Sequence, residues 1–443
     1  MLLNVERCIE LHNSIVSHAR SHLPPHHQPR IQRSWFAAHN LDPSSLDSQI
    51  ILSDGLKAFL SGIDIVVPED HQHLAFSPFL IGIPSPNGLR PDDWEGSEDY
   101  DDEFILLYKS TRYDPGGLVM SLTTHQVCYT HDIFDNPRER LWGDLYTVLE
   151  IYKRCIDSGK FVVDANHPGF GDQEGLVTQG WRFEEWTDGE LDLALSRWAS
   201  LVDAIVGKMP TQADEVASQS ENDSDGLIPA SVLDLYPAIP PFARAFLSRA
   251  KKPPFTSIAP QLQVPDVAFI HRVGSQLREK YPEASLTTPQ HSIVNCPSFL
   301  LFPWRTPGVQ FASRDDSDRW QLGNPSRVLD NRAGLYLVPD NLHAHASTLL
   351  LPFSVGGNGH VLRGDGTTVE RPGQDVLYQH GICNPFVPDH STPLAAILVN
   401  WWEQVENEDW AVDENGVVGG EDLWRLADME EDAENFMIEW VCF

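Results

Sequence analysis

The sequence predicts an α+β fold built of two related halves, with mixed strands and short helices. Three observations predict it. Stretches with the apolar period of a helix are interspersed with short apolar runs broken by Gly and Pro. One part of the chain is echoed further along it: Tyr129-x-His131-x-Ile133 matches Tyr378-x-His380-x-Ile382. The composition, 41% hydrophobic and 21% charged over 443 residues, is that of a globular chain long enough for two domains.

In chain order, residues 3–22 place Val5, Cys8, Ile9, Ile15, Val16 and Ala19 at helical spacing, and Pro24 and Pro25 end that helix. A second short helix is expected over Leu56–Ile63. LAFSPFLIGIP (74–84) is apolar with Gly and Pro interruptions, FILLYKS (104–110) reads as a buried strand, and 117–130 reads as a hairpin pair. Helical period returns over 145–158 and over 190–206, the latter with Leu191, Leu193, Leu195, Trp198 and Val202 as its apolar residues. MPTQADEVASQSENDSDG (209–226) is polar, acidic and Ser-rich, as expected of a linker. Beyond it, helices are expected over 242–250 and 266–281, strands over 298–304, 334–340 and 348–357, and a helix over LAAILVNWWEQVEN (394–407). The expected division is an N-terminal helix and arm (1–28), a first half (29–208), an acidic linker (209–227) and a second half ending in an acidic helix (228–443).

The echo extends without a gap. At a constant offset of 249, Leu145 pairs with Leu394, Leu149 with Leu398, Ile156 with Val405, Phe161 with Trp410, Val163 with Val412 and Asp164 with Asp413. A second echo sets His71-Gln-His73 before LAFSPFLIGI against His343-Ala-His345 before STLLLPFSV at an offset of 272, so one half carries an insertion. The acidic stretch Asp92–Glu103 is the candidate. A duplicated α+β unit accounts for both.

Charge and cysteine bound the function. A net charge of -33 opposes a polyanion partner over most of the surface, so no DNA partner is expected. The six cysteines, Cys8, Cys128, Cys155, Cys296, Cys383 and Cys442, form no CxxC and read as reduced, intracellular thiols. Glu6 and Glu10 interrupt the N-terminal apolar pattern, which is not that of a secretory signal, and no run of apolar residues is long enough to span a membrane. A cytoplasmic protein without a membrane partner is the expectation.

Few motifs carry chemistry. Each His-x-His pair would face one side of a strand and could hold a metal with His131 or His380, but no Glu follows His345 or His73 where such a site would want one. The plainer reading is polar residues at a strand entrance, and neither a metal nor a cofactor is expected. No Gly-x-Ser-x-Gly elbow is present. Cys128 and Cys383 lie near His131 and His380 in sequence, which by itself gives no hydrogen-bond geometry. VGGNGHVLRGDG (355–366) fits no phosphate-binding motif and reads as a hairpin turn.

Two charged regions stand out. Arg244, Arg249, Lys251 and Lys252, then Arg272, Arg278 and Lys280, form a basic island in an acidic chain, either a local phosphate contact or ordinary solvated helix faces. From Glu403 to the end only Arg425 is basic. There Glu430, Glu431 and Glu434 are expected on one face of a helix whose apolar side is Leu423, Leu426, Phe436, Met437 and Trp440. Such carboxylates suit a guanidinium, an ammonium or a divalent ion, or form a solvated acidic tail.

The ending, W-x-V-D-E-N-G-V-x-G-G followed by LWRLADMEEDAE, resembles the ends of the fungal arginine-containing cyclodipeptide synthases. That family carries an Asp-Asp-x-x-Glu motif, for which the nearest stretch here is Glu430-Glu431-x-x-Glu434. The resemblance implies a tRNA-dependent enzyme of secondary metabolism that joins arginine, from arginyl-tRNA, to the amino acid of a second aminoacyl-tRNA as a diketopiperazine. It implies catalytic roles for Glu430, Glu431 and Glu434, and a tRNA contact at Arg244, Arg249, Lys251, Lys252, Arg272 and Arg278. The alternatives are a non-catalytic binding module with an acidic docking face and a metal-dependent oxygenase using His343 and His345.

Overall fold

Asn4 accepts a hydrogen bond from the Arg7 amide and so starts the first helix, α1 (Val5–His22). Its buried stripe is Cys8, Leu11, His12, Ile15, Val16 and Ala19. The computed structural model describes residues 3–44, 50–67, 74–91, 94, 103–111, 116–130, 135–165, 180–184, 186–210, 226–280, 298–310, 332–338, 346–369, 374–379 and 392–438. The fold is α+β, and its described residues divide into two units, one up to Glu184 and one after it.

In the first unit α1 is followed by β1 (Arg30–Arg33), α2 (Trp35–Ala38), α3 (Asp54–Gly62) and β2 (Asp64–Val67), which pairs antiparallel with β1. A five-stranded antiparallel sheet then runs in chain order: β3 (Leu80–Gly82), β4 (Phe104–Ser110), β5 (Gly117–Ser121), β6 (Gln126–Thr130) and β7 (Gly143–Asp144). α4 (Leu145–Asp157) follows, then the pair β8 (Phe161–Val163) and β9 (Trp181–Phe183). Every residue of β4 except Lys109 is buried, so this strand reads as an apolar run rather than an alternation. α1 packs against α3 and α4.

The second unit starts with α5 (Asp188–Lys208), whose capping box is complete: Thr187 Oγ1 accepts from the Glu190 amide, and the Glu190 carboxylate accepts from the Thr187 amide. Next come α6 (Ala230–Leu233), α7 (Pro241–Arg249), β10 (Ser257–Ala259), β11 (Leu262–Gln263) and α8 (Val267–Lys280). A four-stranded antiparallel sheet follows in chain order: β12 (Phe299–Pro303), β13 (Gly334–Val338), β14 (Ala346–Val355) and β15 (Gln374–Leu377). α9 (Leu394–Glu406) then packs along α5. A small second sheet, with order β11, β10, β17, β16, is completed by β16 (Val412–Asp413) and β17 (Gly416–Val417) before α10 (Glu421–Arg425).

The expected elements are present with three differences. Of 74–84 only Leu80–Gly82 is strand, because Ser77 Oγ accepts from the amides of Phe79 and Leu80 and turns the chain first. α5 lies in the second unit, so the division falls before it rather than at the acidic stretch, of which 211–225 lie outside the described residues. The acidic helix through 430–434 is absent. α10 stops at Arg425, 3-10 turns cover Leu426–Asp428 and Ala433–Phe436, and a turn links them.

The offset of 249 is kept by secondary structure: α4 and α9 begin at 145 and 394 and end at 157 and 406. α3 and α7 likewise start at 54 and 241 and end at 62 and 249, an offset of 187, and each carries Ala-Phe-Leu-Ser (58–61 and 245–248). The sheets differ, with five strands in one unit and four in the other. The offset of 272 pairs β3, an edge strand, with β14, an interior strand, so that echo joins strands in unlike positions. Gly117 (φ 147°) and Gly334 (φ 146°) each open a strand beside a bulge, where a Cβ would press on Tyr108 O at 2.0 Å and Phe302 O at 2.5 Å.

Candidate functional site

The acidic C-terminal segment is anchored along its inner side. α9 buries Leu394, Ile397, Leu398, Trp401 and Val405, and with them the amides of Asn400 and Gln404. Asn400 Nδ2 and Gln404 Nε2 donate to Asn435 O at 2.8 and 2.9 Å. Trp424 is fully buried, and its Nε1 donates to Pro260 O at 2.8 Å. Its ring meets those of Trp401, Trp410 and Phe436.

Asp428 is buried and caps a turn. Its carboxylate accepts from the amides of Asn358 at 2.9 Å and His360 at 3.1 Å, while Asn358 Nδ2 donates to Asp428 O. That turn belongs to the Gly-rich stretch read as a hairpin; Val361 and Val369 are bonded across it. Arg425 covers the Phe353 ring at 3.9 Å. These contacts explain the broken helix. Turning Asp428 inward fixes the chain there, and a continuous helix would stack Asp428, Glu431 and Asp432, then Glu430 and Glu434, at repulsive spacing.

On the outer side Glu430, Glu431 and Glu434 are exposed, as are Glu403, Glu406, Asp409, Glu414, Glu421 and Asp422. Among the described residues Glu421 pairs with Arg425 at 3.6 Å, and no cation lies within ion-pair distance of Glu430, Glu431 or Glu434. Glu430 and Glu431 sit on the linking turn and Glu434 on the following 3-10 turn, so the expected helical i,i+3 and i,i+4 face does not form.

The basic island is divided. Arg244 is structural: its guanidinium donates to Tyr236 O at 2.7 Å and to Asp234 at 3.3 Å, and burial lowers its pKa against the pull of Asp234. Lys251 donates to Asp203 at 2.6 Å, and its carbonyl accepts from Trp198 Nε1. Arg249, Lys252, Arg272 and Arg278 are exposed; Arg272 lies 5.5 Å over the Phe269 ring. Arg249 and Arg278 stand in the last turns of α7 and α8, where cations suit the helix dipole.

In the first unit the notable group is His12. Its Nδ1 lies 2.7 Å from Tyr108 Oη and its Nε2 2.9 Å from Asp64 O, with the ring stacked on Phe76. Burial pushes its pKa down to about 4. The sequence signal was its place between Cys8 and Val16, four residues from each, on the buried stripe of α1. Nothing distinguished Asp428 among its acidic neighbours. Cys8, Cys128 and Cys155 are buried, and burial raises the Cys8 thiol to about 12.

His71, His73, His131, His343, His345, His380 and Cys383 lie outside the described residues. Among the described residues no group of three or more His, Cys, Asp or Glu is placed to hold a metal ion, and no helix is long and apolar enough to cross a membrane. The chain matches no family model, no curated protein and no solved structure.

Proposed function

We propose that the chain is a binding protein of two related α+β units, the second of which presents a fixed carboxylate surface to a basic protein segment. The observation that supports this is the anchoring of residues 421–438. Trp424, Asp428, Asn435 and Phe436 hold the inner side, while Glu430, Glu431 and Glu434 stay exposed with no cation paired to them among the described residues. A solvated tail has no such anchors. Clustered carboxylates on a fixed backbone suit guanidinium groups, which they bind through paired hydrogen bonds. The shared offsets of α3 with α7 and of α4 with α9 support the relatedness of the units.

The test is binding of an arginine-rich peptide by fluorescence anisotropy at rising salt. The expected result is saturable binding that weakens with salt and falls about tenfold, or about 1.4 kcal/mol, in the Glu430→Gln/Glu431→Gln/Glu434→Gln variant. Equal binding by the variant overturns the proposal.

The second reading is the tRNA-dependent cyclodipeptide synthase that the sequence resemblance implies, with Glu430, Glu431 and Glu434 placing the arginyl side chain and taking up an amine proton. The exposed cations Arg249, Lys252, Arg272 and Arg278 favour it as a tRNA contact, whereas Arg244 and Lys251 are already engaged within the protein. Its test is expression in a host without such products, followed by mass spectrometry. Arginine-containing diketopiperazines support it, and their absence beside soluble protein removes it.

A further inference from the structure

The C-terminal end of α1 carries two histidines one helical turn apart, His18 and His22. Their rings are stacked with centroids 4.0 Å apart and planes 25° from parallel. His22 Nδ1 lies 2.9 Å from His18 O. A carbonyl oxygen only accepts, so this contact places the proton on Nδ1 and leaves the Nε2 lone pair of His22 free. That is the arrangement metal-bound imidazoles adopt, one nitrogen donating to a carbonyl and the other ligating. His18 is half-buried, its ring nearly parallel to that of Trp181, which restricts its orientation.

We propose that His18 and His22 form a two-imidazole site for a divalent transition-metal ion. Two histidines at i and i+4 share one helix face, a spacing that lets both rings reach a common ion. In the stack the two ring planes lie side by side, so each ring turns about its side-chain torsions to aim a nitrogen at a shared ion about 2.0–2.1 Å away. Imidazole selects copper, nickel and zinc over magnesium and calcium. Water fills the remaining positions, since among the described residues no third ligand completes a cluster.

The experiment is calorimetric titration of the full-length chain, free of any histidine tag, with the chlorides of copper(II), nickel(II) and zinc(II), joined to electron paramagnetic resonance of the copper form. The expected result is one saturable site, tightest for copper, with two imidazole nitrogens in its spectrum. His22→Ala, at an exposed position, weakens it by more than about tenfold because the chelate is lost, and the spectrum then shows one nitrogen. His18→Gln does the same with helicity preserved by circular dichroism. His26→Ala/His27→Ala leaves the affinity unchanged. A wild-type protein without saturable binding, or a His22→Ala variant that binds as tightly, overturns the proposal.

Discussion

The two units hold their long helices by different chemistry. In the first, α1 carries a buried imidazole that bridges Tyr108 in the sheet and the backbone at Asp64. In the second, α5 and α9 meet through indoles: Trp198 stacks on Phe302, and Trp401 meets Phe302, Trp410 and Trp424. Tyr378 Oη completes that core, accepting from Trp401 Nε1 and donating to Asn400. The difference teaches where sensitivity lies. A buried titratable bridge ties one core to pH, whereas aromatic area ties the other to volume. The largest expected effect follows. Trp401→Ala removes a fully buried indole and its hydrogen bond, at a cost of about 3–5 kcal/mol. Denaturant titration measures the loss, and hydrogen exchange should place it in 188–208 and 394–406. Loss of protection spread equally over α1 and α4 would erase the contrast between the units.

The second effect belongs to the first unit. His12 is held neutral, its pKa lowered from 6.5 to about 4 by burial. Above pH 6.5 both states are neutral and stability is full. As pH falls from 6.5 toward 4 the unfolded chain binds a proton that the folded chain refuses, so stability is lost over that window. At 1.36 kcal/mol per unit the loss is about 3 kcal/mol. His12→Gln keeps hydrogen-bonding capacity and removes the proton, so its stability should be flatter over this window. A slope equal to that of the wild type would show that other groups carry the acid response.

Asp428→Ala ranks next. It leaves the amides of Asn358 and His360 without their acceptor, at a cost of about 1–3 kcal/mol. Urea titration reads the change, and protease sensitivity near 421–438 should rise with it. An unchanged midpoint would return this segment to the status of a loosely held tail.

Much of the fold was legible. Helical period located α1, α5 and α9 to within about two residues of their ends, and FILLYKS gave β4 without error. Apolar pattern failed where side-chain hydrogen bonds decide the backbone, as at Ser77 and Asp428. It also misplaced Leu193, which is 49% exposed on α5, because Ala194 turns inward instead. The candidate site was half legible. The exposed carboxylates and cations were visible as charge, but which of them were already used, Arg244 and Lys251 among them, depended on partners such as the Tyr236 carbonyl and Asp203.

The smallest effect on stability separates surface from scaffold. Glu430, Glu431 and Glu434 are exposed and unpaired among the described residues, so replacing all three by Gln should change stability by less than about 0.5 kcal/mol. The direction should be toward greater stability at low salt, because three like charges are removed from a strongly acidic chain. Asp428→Ala, only a few residues away, should do the reverse, since its charge is buried and hydrogen-bonded. Thermal melts of both variants at low and high salt make the comparison. If the triple variant melts well below the wild type, these carboxylates hold structure and the binding surface proposed for them is wrong. If it melts at or above the wild type, any loss of peptide binding or of diketopiperazine product belongs to the surface itself.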